Sequence, residues 1–263
     1  MMVTTAWLDQ KLIKAEPDTL IWAEPLPDGG REVVKLYRRR GALDPVRRAF
    51  VPYRVERECR LLERLFDAGV PCPQPLRWSH GNNARHGRYE LLATREIPRA
   101  TPLKSCLRGA QPTSDLAPLF GLARRMHACG VAHGAFYPAN ILVSTSPAGE
   151  DALHIIDLAH GCRFSRSIVG TRPADYDLLD MLRAIERVAP IADCPRWLEG
   201  YGTGEEHIRK LLWMLETHFI ERPWRHLRRA ETDTRSAWDR VTRTAASRAR
   251  EEAPQSPRHS QPR

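Results

Sequence analysis

The 263-residue sequence contains no long apolar run, no paired cysteine motif and very little lysine. No stretch approaches the roughly 18 apolar residues that cross a bilayer, so we do not expect an integral membrane protein. Residues 1–14 mix Asp9, Gln10 and two lysines with apolar residues, which is unlike a secretory signal. The six cysteines are scattered without a C-x-x-C pair. We therefore expect a cytoplasmic protein with free thiols.

The charge is positive and concentrated toward the end of the chain. The formal net charge is +9, and 36 arginines stand against five lysines. Ten arginines and five acidic residues lie within 224–263, so this segment contributes +5 (10 − 5). We find no pattern of aromatic stacking residues interleaved with the basic ones and no nucleic-acid-reading helix, so we expect no nucleic-acid partner. The simplest interpretation of the arginine bias is genome composition. Contact with an anionic membrane surface is the alternative, where each basic residue contributes about 1 kcal/mol.

The first hundred residues have the pattern of a small α+β unit. Short β-branched and aromatic segments predict three strands, at 19–24, 32–37 and 89–94. A turn around Asp28-Gly29-Gly30 makes the first two a hairpin, and 81–83 is predicted to be a loop. Apolar spacing predicts a helix from Tyr53 to Ala68, ended by Gly69 and the prolines that follow it.

Helices dominate the rest of the sequence. Periodicity predicts three of them, from Ser114 or Asp115 to beyond Met126, over 175–188 and over 205–219. Two short apolar strands, 141–143 and 153–156, form a hairpin with a long turn. We expect an α+β fold of two lobes, 1–97 and 98–242, in which one long helix joins a small antiparallel sheet. Residues 243–263 lose all periodicity and are predicted to be a disordered basic tail.

Two charged side chains occupy apolar positions in the first lobe. Lys35 lies inside the second predicted strand, between valines and a leucine. Glu58 lies on the apolar stripe of the predicted helix, with Val55 before it and Leu61 after it. A buried carboxylate must find a partner or be neutralised, and the strand lysine is the natural one. Such a pair can orient an ammonium group toward phosphate oxygens, as in kinase-type phosphoryl transfer.

The hairpin of the second lobe brings two oxygen donors together. Asn140 precedes its first strand and Asp157 ends its second, so pairing of the strands places an amide oxygen near a carboxylate. Mg²⁺ prefers oxygen ligands and takes only one or two from protein when phosphate supplies others. The alternative is that Asn140 caps a turn and Asp157 is a surface acid. We favour a magnesium site.

In chain order, these motifs resemble the protein-kinase-like fold. More narrowly, they resemble the bacterial lipopolysaccharide kinases that phosphorylate Kdo or heptose sugars of the inner core. The resemblance spans roughly residues 20–190 and is carried by Val34-Lys35, Glu58-x-x-Leu61-Leu62, Gly69-Val70-Pro71-x-Pro73, His133-Gly134-x-x-Tyr137-x-x-Asn140-Ile141-Leu142 and Ile156-Asp157-Leu158. It implies ATP and Mg²⁺ as cofactors and a core-sugar or other hydroxyl group as acceptor. A cytoplasmic enzyme of this kind would contact the inner face of the inner membrane.

The resemblance also implies roles for individual residues. Lys35 would contact the α- and β-phosphates, Glu58 would hold Lys35, and Asn140 and Asp157 would bind Mg²⁺. The chain from Thr94 through Glu96 to Ile97 would be the hinge that meets adenine.

The sequence departs from the family in two places. Ala135 stands where the family has an aspartate as catalytic base, and no G-x-G-x-x-G loop exists, since only Gly29 and Gly30 lie in the first turn. A general base contributes about 10²–10⁴-fold to rate, whereas most acceleration of phosphoryl transfer comes from positioning and charge neutralisation. We therefore expect impaired transfer with nucleotide binding retained.

Other side chains could replace the missing base. The candidates are His133, Tyr137 and His160, although a structural role is the simpler interpretation of each. Asp177 and Asp180 lie on a later helix and are expected to be framework acids.

Three functions remain open at this point. The chain is a lipopolysaccharide core kinase, a pseudokinase that binds nucleotide or a partner and regulates envelope assembly, or a small-molecule kinase of the aminoglycoside or choline type. Ala135 counts against the first and the third equally.

Overall fold

The computed structural model describes residues 12–39, 53–83, 87–109, 115–146, 148–187 and 191–217. The Arg-rich segment 224–263 and the predicted tail at 243–263 lie outside these ranges. The proposed membrane contact and the disordered tail therefore stay predictions.

The N-terminal lobe is built on a five-stranded antiparallel sheet of order β1-β2-β3-β5-β4. Its strands are β1 (Leu12–Glu16), β2 (Thr19–Pro25), β3 (Arg31–Arg39), β4 (Pro75–Asn83) and β5 (Gly87–Arg95). The three predicted strands and their hairpin are confirmed, whereas β1 and β4 were not predicted. The loop prediction for 81–83 was wrong, because these residues pair with β5 as the end of β4.

Helix α1 (Arg54–Asp67) follows β3 and confirms the predicted helix. Its apolar face buries Val55, Leu61 and Leu65 in a core that continues into the C-terminal lobe. Gly69 ends the helix with a φ of +67°, a left-handed conformation that glycine adopts without strain. The helix therefore joins the two lobes through one continuous apolar core.

The C-terminal lobe is mainly helical, as predicted. Its helices are α2 (Leu103–Gly109), α3 (Ala117–Ala128), α4 (Arg172–Ile185), α5 (Cys194–Glu199) and α6 (Glu205–Glu216). Asp115 accepts a hydrogen bond from the backbone of Ala117 (3.0 Å) at the start of α3, and α4 begins three residues before the predicted position.

Short strands complete this lobe and surround its central loop. A three-stranded sheet of order β6-β8-β9 consists of β6 (Ala100–Pro102), β8 (Ile141–Thr145) and β9 (Asp151–Ile155). Strands β7 (Val131–Ala132) and β10 (Cys162–Arg163) form a second pair. The predicted hairpin is therefore β8–β9, and the boundary predicted at residue 97 falls between the end of β5 and β6.

Alternation along β3 directs its side chains to two different surroundings. Val34 and Leu36 belong to a small cluster with Trp22 on one face of the sheet. Tyr37 belongs to the main core, and Lys35 lies on the same face as Tyr37 because strand residues two apart point the same way. This arrangement aims the lysine at α1 and the cleft beneath it.

The remaining expectations concern thiols and membrane spans. None of the six cysteines forms a disulfide, and all lie within the described ranges. Among the residues that the structure describes, no helix has the length and apolar character to cross a bilayer.

Candidate active site

Lys35 lies at the centre of a three-residue charge cluster between the lobes. Its Nζ is 2.5 Å from Oδ1 of Asp157 and 3.4 Å from Oε1 of Glu58. The three residues come from β3, α1 and the segment after β9. The structure thus brings together the predicted lysine–glutamate pair and adds Asp157 to it.

Glu58 is the buried anchor of the cluster, with 2% of its surface exposed. Tyr37 donates a hydrogen bond from its hydroxyl to Oε2 (3.2 Å), which leaves Oε1 for Lys35. Burial raises the pKa of Glu58, and the Lys35 ammonium offsets only part of this effect. Burial and the Glu58 charge together hold the pKa of Tyr37 well above its usual value, so Tyr37 remains a hydrogen-bond donor.

Asp157 has a backbone conformation that is rare outside glycine, with φ of +60° and ψ of +59°. Aspartate is one of the few other residues that adopts the left-handed region. Burial alone would raise its pKa, but the nearby Lys35 ammonium more than offsets this and lowers it. The carboxylate is therefore ionised at neutral pH and faces the lysine.

Asp177 on α4 holds the loop between β7 and β8, which comprises residues 133–140. This carboxylate on α4 is fully buried. It accepts backbone hydrogen bonds from His133 (2.6 Å) and Gly134 (2.8 Å), and it contacts Nε2 of His127 (3.2 Å). These contacts hold the loop against α3 and α4, which is consistent with the framework role predicted for Asp177.

Gly134 makes the close packing of this loop possible. Its φ is +71°, and a Cβ atom added there would lie 2.3 Å from the backbone oxygen of His160. Only glycine fits this conformation and approach. The loop is therefore pressed against the segment that follows Asp157.

Asn140 closes the loop and links it to the segment that carries Asp157. Its side-chain amide donates to the backbone oxygen of Ala135 (2.8 Å), and its own backbone oxygen accepts from the amide of Ile156 (3.0 Å). The hairpin thus places Asn140 beside the residue that precedes Asp157.

The donor set suits a hard cation. Because the Asn140 amide nitrogen is used within the loop, its oxygen is the side that remains for a ligand, and the Asp157 carboxylate is ionised. Within the described ranges, no group of three or more His, Cys, Asp or Glu residues is arranged to hold a metal. Two protein oxygens completed by phosphate match the preference of Mg²⁺, so Asn140 and Asp157 fit this ion.

Position 135 has no ionisable group, and its neighbours are occupied elsewhere. His133 is fully buried, and its Nε2–H donates to the backbone oxygen of Ile156 (3.0 Å). Burial lowers its pKa, which favours the neutral ring. Tyr137 is half-buried on the loop, and His160 lies behind Gly134. These positions support the structural interpretation of His133, and a structural role stays the prediction for Tyr137 and His160.

The predicted hinge lies where the chain leaves the sheet. Thr94 pairs with Val33 near the end of β5. Glu96 donates its backbone amide to the oxygen of Arg31 (2.8 Å). Ile97 follows and is half-buried. Adenine contact by this segment stays a prediction.

The first turn of the sheet differs from the sequence-based expectation. Because β1 precedes the predicted hairpin, the first turn joins β1 to β2 and consists of Pro17 and Asp18. Gly29 and Gly30 lie in the second turn, between β2 and β3, which an ion pair ties to β5 (Asp28 Oδ2 to Arg95 Nη2, 2.7 Å). Neither turn of the described sheet has the spacing of a glycine-rich phosphate loop.

The model of the lipopolysaccharide kinase (Kdo/WaaP) family matches residues 21–201. A search of curated proteins found no match.

Solved structures that resemble the chain include WaaP in complex with acyl carrier protein. That structure is 19% identical, with a TM-score of 0.57, and the match covers 80% of this chain and 87% of that one. The Rio2 kinase–ADP/Mg²⁺–phosphoaspartate complex from Chaetomium thermophilum is 17% identical, with a TM-score of 0.49, over 87% of this chain and 70% of that one. The likeness to WaaP confirms the bilobal kinase-like fold.

Proposed function

Because the chain belongs to the lipopolysaccharide kinase (Kdo/WaaP) family, we propose that it transfers the γ-phosphate of Mg·ATP to a hydroxyl group of a lipopolysaccharide core sugar. The observation that carries the proposal is the ion-pair cluster of Lys35, Glu58 and Asp157, with Asn140 held beside it. The reaction takes place in the cytoplasm, where ATP is available.

The chain's own residues supply positioning and charge. Lys35 donates to phosphate oxygens of the nucleotide, and Glu58 fixes the ammonium group by its buried contact. Asp157 and Asn140 would hold a magnesium ion, which would supply neutralisation of charge on the phosphoryl group. Asp177 keeps the loop of residues 133–140 in place while the acceptor hydroxyl approaches.

A second candidate function follows from position 135. The loop has no carboxylate there to accept the proton of the acceptor hydroxyl, and the neighbouring His133 ring is buried. A general base contributes about 10²–10⁴-fold, or roughly 3–5 kcal/mol of barrier. A chain that lacks it retains nucleotide binding, so the second candidate is a pseudokinase that regulates envelope assembly.

Nucleotide binding is the first test, because both candidates in their nucleotide-binding form require it. Mg·ATP at millimolar concentration is expected to raise the melting temperature, and Asp157→Ala is expected to abolish this rise. An unchanged melting curve of the wild-type protein would overturn the assignment of the site.

Phosphate transfer separates the two candidates. The assay follows labelled γ-phosphate into purified core lipopolysaccharide, with Lys35→Ala as the blank. Transfer above this blank supports the kinase, and nucleotide binding without transfer supports the regulator. Ala135→Asp is expected to raise transfer by about 10²–10⁴-fold if the base is missing. Ala135→Asn, which matches aspartate in size but has no base, is not expected to raise it.

A further inference from the structure

A cavity of about 410 Å³ lies against the loop of residues 133–140, apart from the Lys35 cluster. The loop contributes residues 137–139 to its wall, and helices α2 and α4 supply the facing sides. None of Lys35, Glu58 and Asp157 lines it. The cavity thus adjoins the loop that carries Asn140 without being part of the proposed phosphate site.

The charged residues that line the cavity are all positive. Lys104 and Arg108 lie one turn apart on α2, so their side chains occupy the same face of that helix. Arg187 reaches the cavity from the chain just beyond α4. Within the described ranges, none of the three forms an ion pair with a carboxylate. Three like charges around one concave surface repel each other, and an anion bound between them would relieve this repulsion.

The rest of the lining is small or apolar and leaves room for a ligand. Leu107, Pro138 and Ala184 provide apolar surface, and Tyr137 adds a ring. The volume falls in the range of small-molecule sites, about 300–1,000 Å³. An apolar wall with a cationic rim matches a saccharide that packs its ring against carbon and points a charged substituent at the rim.

We propose that this cavity is an acceptor subsite that holds a saccharide through an anionic substituent, a carboxylate or a phosphate, bound by Lys104, Arg108 and Arg187. The inference rests on the proposed function, since that function places the acceptor hydroxyl at the adjoining loop. It adds three residues, Lys104, Arg108 and Arg187, that position the acceptor by its charge.

The test measures saccharide binding directly and needs no turnover. The probe is the core oligosaccharide released from lipopolysaccharide, with its sugar-acid carboxylates and phosphates intact, titrated calorimetrically into the full chain. Lys104→Gln with Arg108→Gln is expected to weaken binding by at least about tenfold, because it removes two of the three cations whose hydrogen bonds to the anion are charge-assisted. Arg209→Gln, which removes an exposed arginine from α6, is the matched control and should bind as wild type does.

A second variant tests the cavity without changing its charge. Ala184→Trp places a large ring in the cavity and is expected to weaken saccharide binding at least tenfold. Removing the phosphates from the probe, or reducing its carboxylates to alcohols, identifies which anion the rim holds. Equal affinity for a saccharide lacking both would overturn the proposal, as would a double variant that binds the intact saccharide normally.

The melting shift with Mg·ATP separates this inference from the proposed function. All variants should keep that shift, because the altered residues lie outside the Lys35 cluster. A retained shift with unchanged saccharide binding overturns the acceptor subsite alone. If Mg·ATP causes no melting shift in the wild-type protein, the nucleotide site is overturned. The saccharide titration then still tests whether the cavity is an acceptor subsite. An acidic protein that binds at this rim while the saccharide does not would also overturn the proposal.

Discussion

Replacing Asp177 with alanine is the sharpest test of how the loop of residues 133–140 is held. The carboxylate is fully buried and accepts from two backbone amides, those of His133 (2.6 Å) and Gly134 (2.8 Å). It also contacts the ring of His127. Asp177→Ala removes the acceptor for both amides at once.

The expected cost follows from these contacts. A hydrogen bond to a charged group contributes about 1.5–3 kcal/mol, and a buried donor left without an acceptor costs about 1–3 kcal/mol. Two such amides, with partial relief by water, give a loss of about 3–5 kcal/mol in the free energy of unfolding. For a chain of this size, 1 kcal/mol corresponds to about 2–4 °C. We therefore expect the melting temperature to fall by roughly 6–20 °C.

Asp177→Asn keeps one acceptor atom but turns its amide nitrogen toward a backbone donor, so we expect an intermediate loss. Asp67→Asn, which changes an exposed carboxylate at the end of α1, is the control and should stay close to wild type. Thermal melting followed by circular dichroism measures all three. If Asp177→Ala melts within about 2 °C of the control, which is less than 1 kcal/mol, the loop does not depend on this carboxylate and the reasoning is wrong.

Two further predictions concern pH. Burial raises the pKa of Glu58 above its ordinary 4.5, and the Lys35 ammonium opposes this rise. A carboxyl group whose pKa is raised by folding makes the protein less stable as pH rises through the folded-state pKa. Lys35→Ala removes the opposing cation and so increases this effect. The loss of melting temperature in Lys35→Ala should therefore be larger at about pH 8 than at about pH 5, and equal losses would contradict this. Burial alone would raise the pKa of Asp175, but His207 and Lys210 lower it from its ordinary 3.8. The ionised carboxylate therefore stabilises the fold above pH 3.8, and this stabilisation is lost as pH falls through the folded-state pKa. Melting temperature should therefore fall more steeply with acid in wild type than in Asp175→Asn, whereas parallel curves would refute it.

The elements that were predicted from sequence are those with a strong internal period. The α1 stripe is apolar on one face, and β2, β3 and β5 are rich in β-branched and aromatic residues. Strand β1 has the sequence Leu-Ile-Lys-Ala-Glu, with every residue exposed, so it carries no alternation that marks a buried face. Strand β4 begins at Pro75, which favoured a loop. Proline is tolerated there because β4 is the edge strand of the sheet.

The part of the candidate site that could be predicted consists of charged side chains at positions where the sequence pattern is apolar. Lys35 and Glu58 each stand at a position where burial demands a partner, and hairpin pairing alone placed Asn140 near Asp157. The direct contact of Lys35 with Asp157 was not evident, because it depends on how the two lobes meet. The contacts of Asp177 with the loop were missed for the same reason, since no spacing in the sequence links α4 to residues 133–134.

The loop of residues 133–140 is shaped by contacts that do not involve the side chain at position 135. Asn140 binds the backbone oxygen of Ala135, and Asp177 binds the two amides that precede it. A carboxylate can therefore be lost from position 135 without loss of the loop, because backbone atoms carry the hydrogen bonds. What is lost is at most the share of the barrier that a general base supplies, about 3–5 kcal/mol. The contact of Lys35 with Asp157 does not involve position 135, so the proposed kinase and the proposed regulator require the same scaffold.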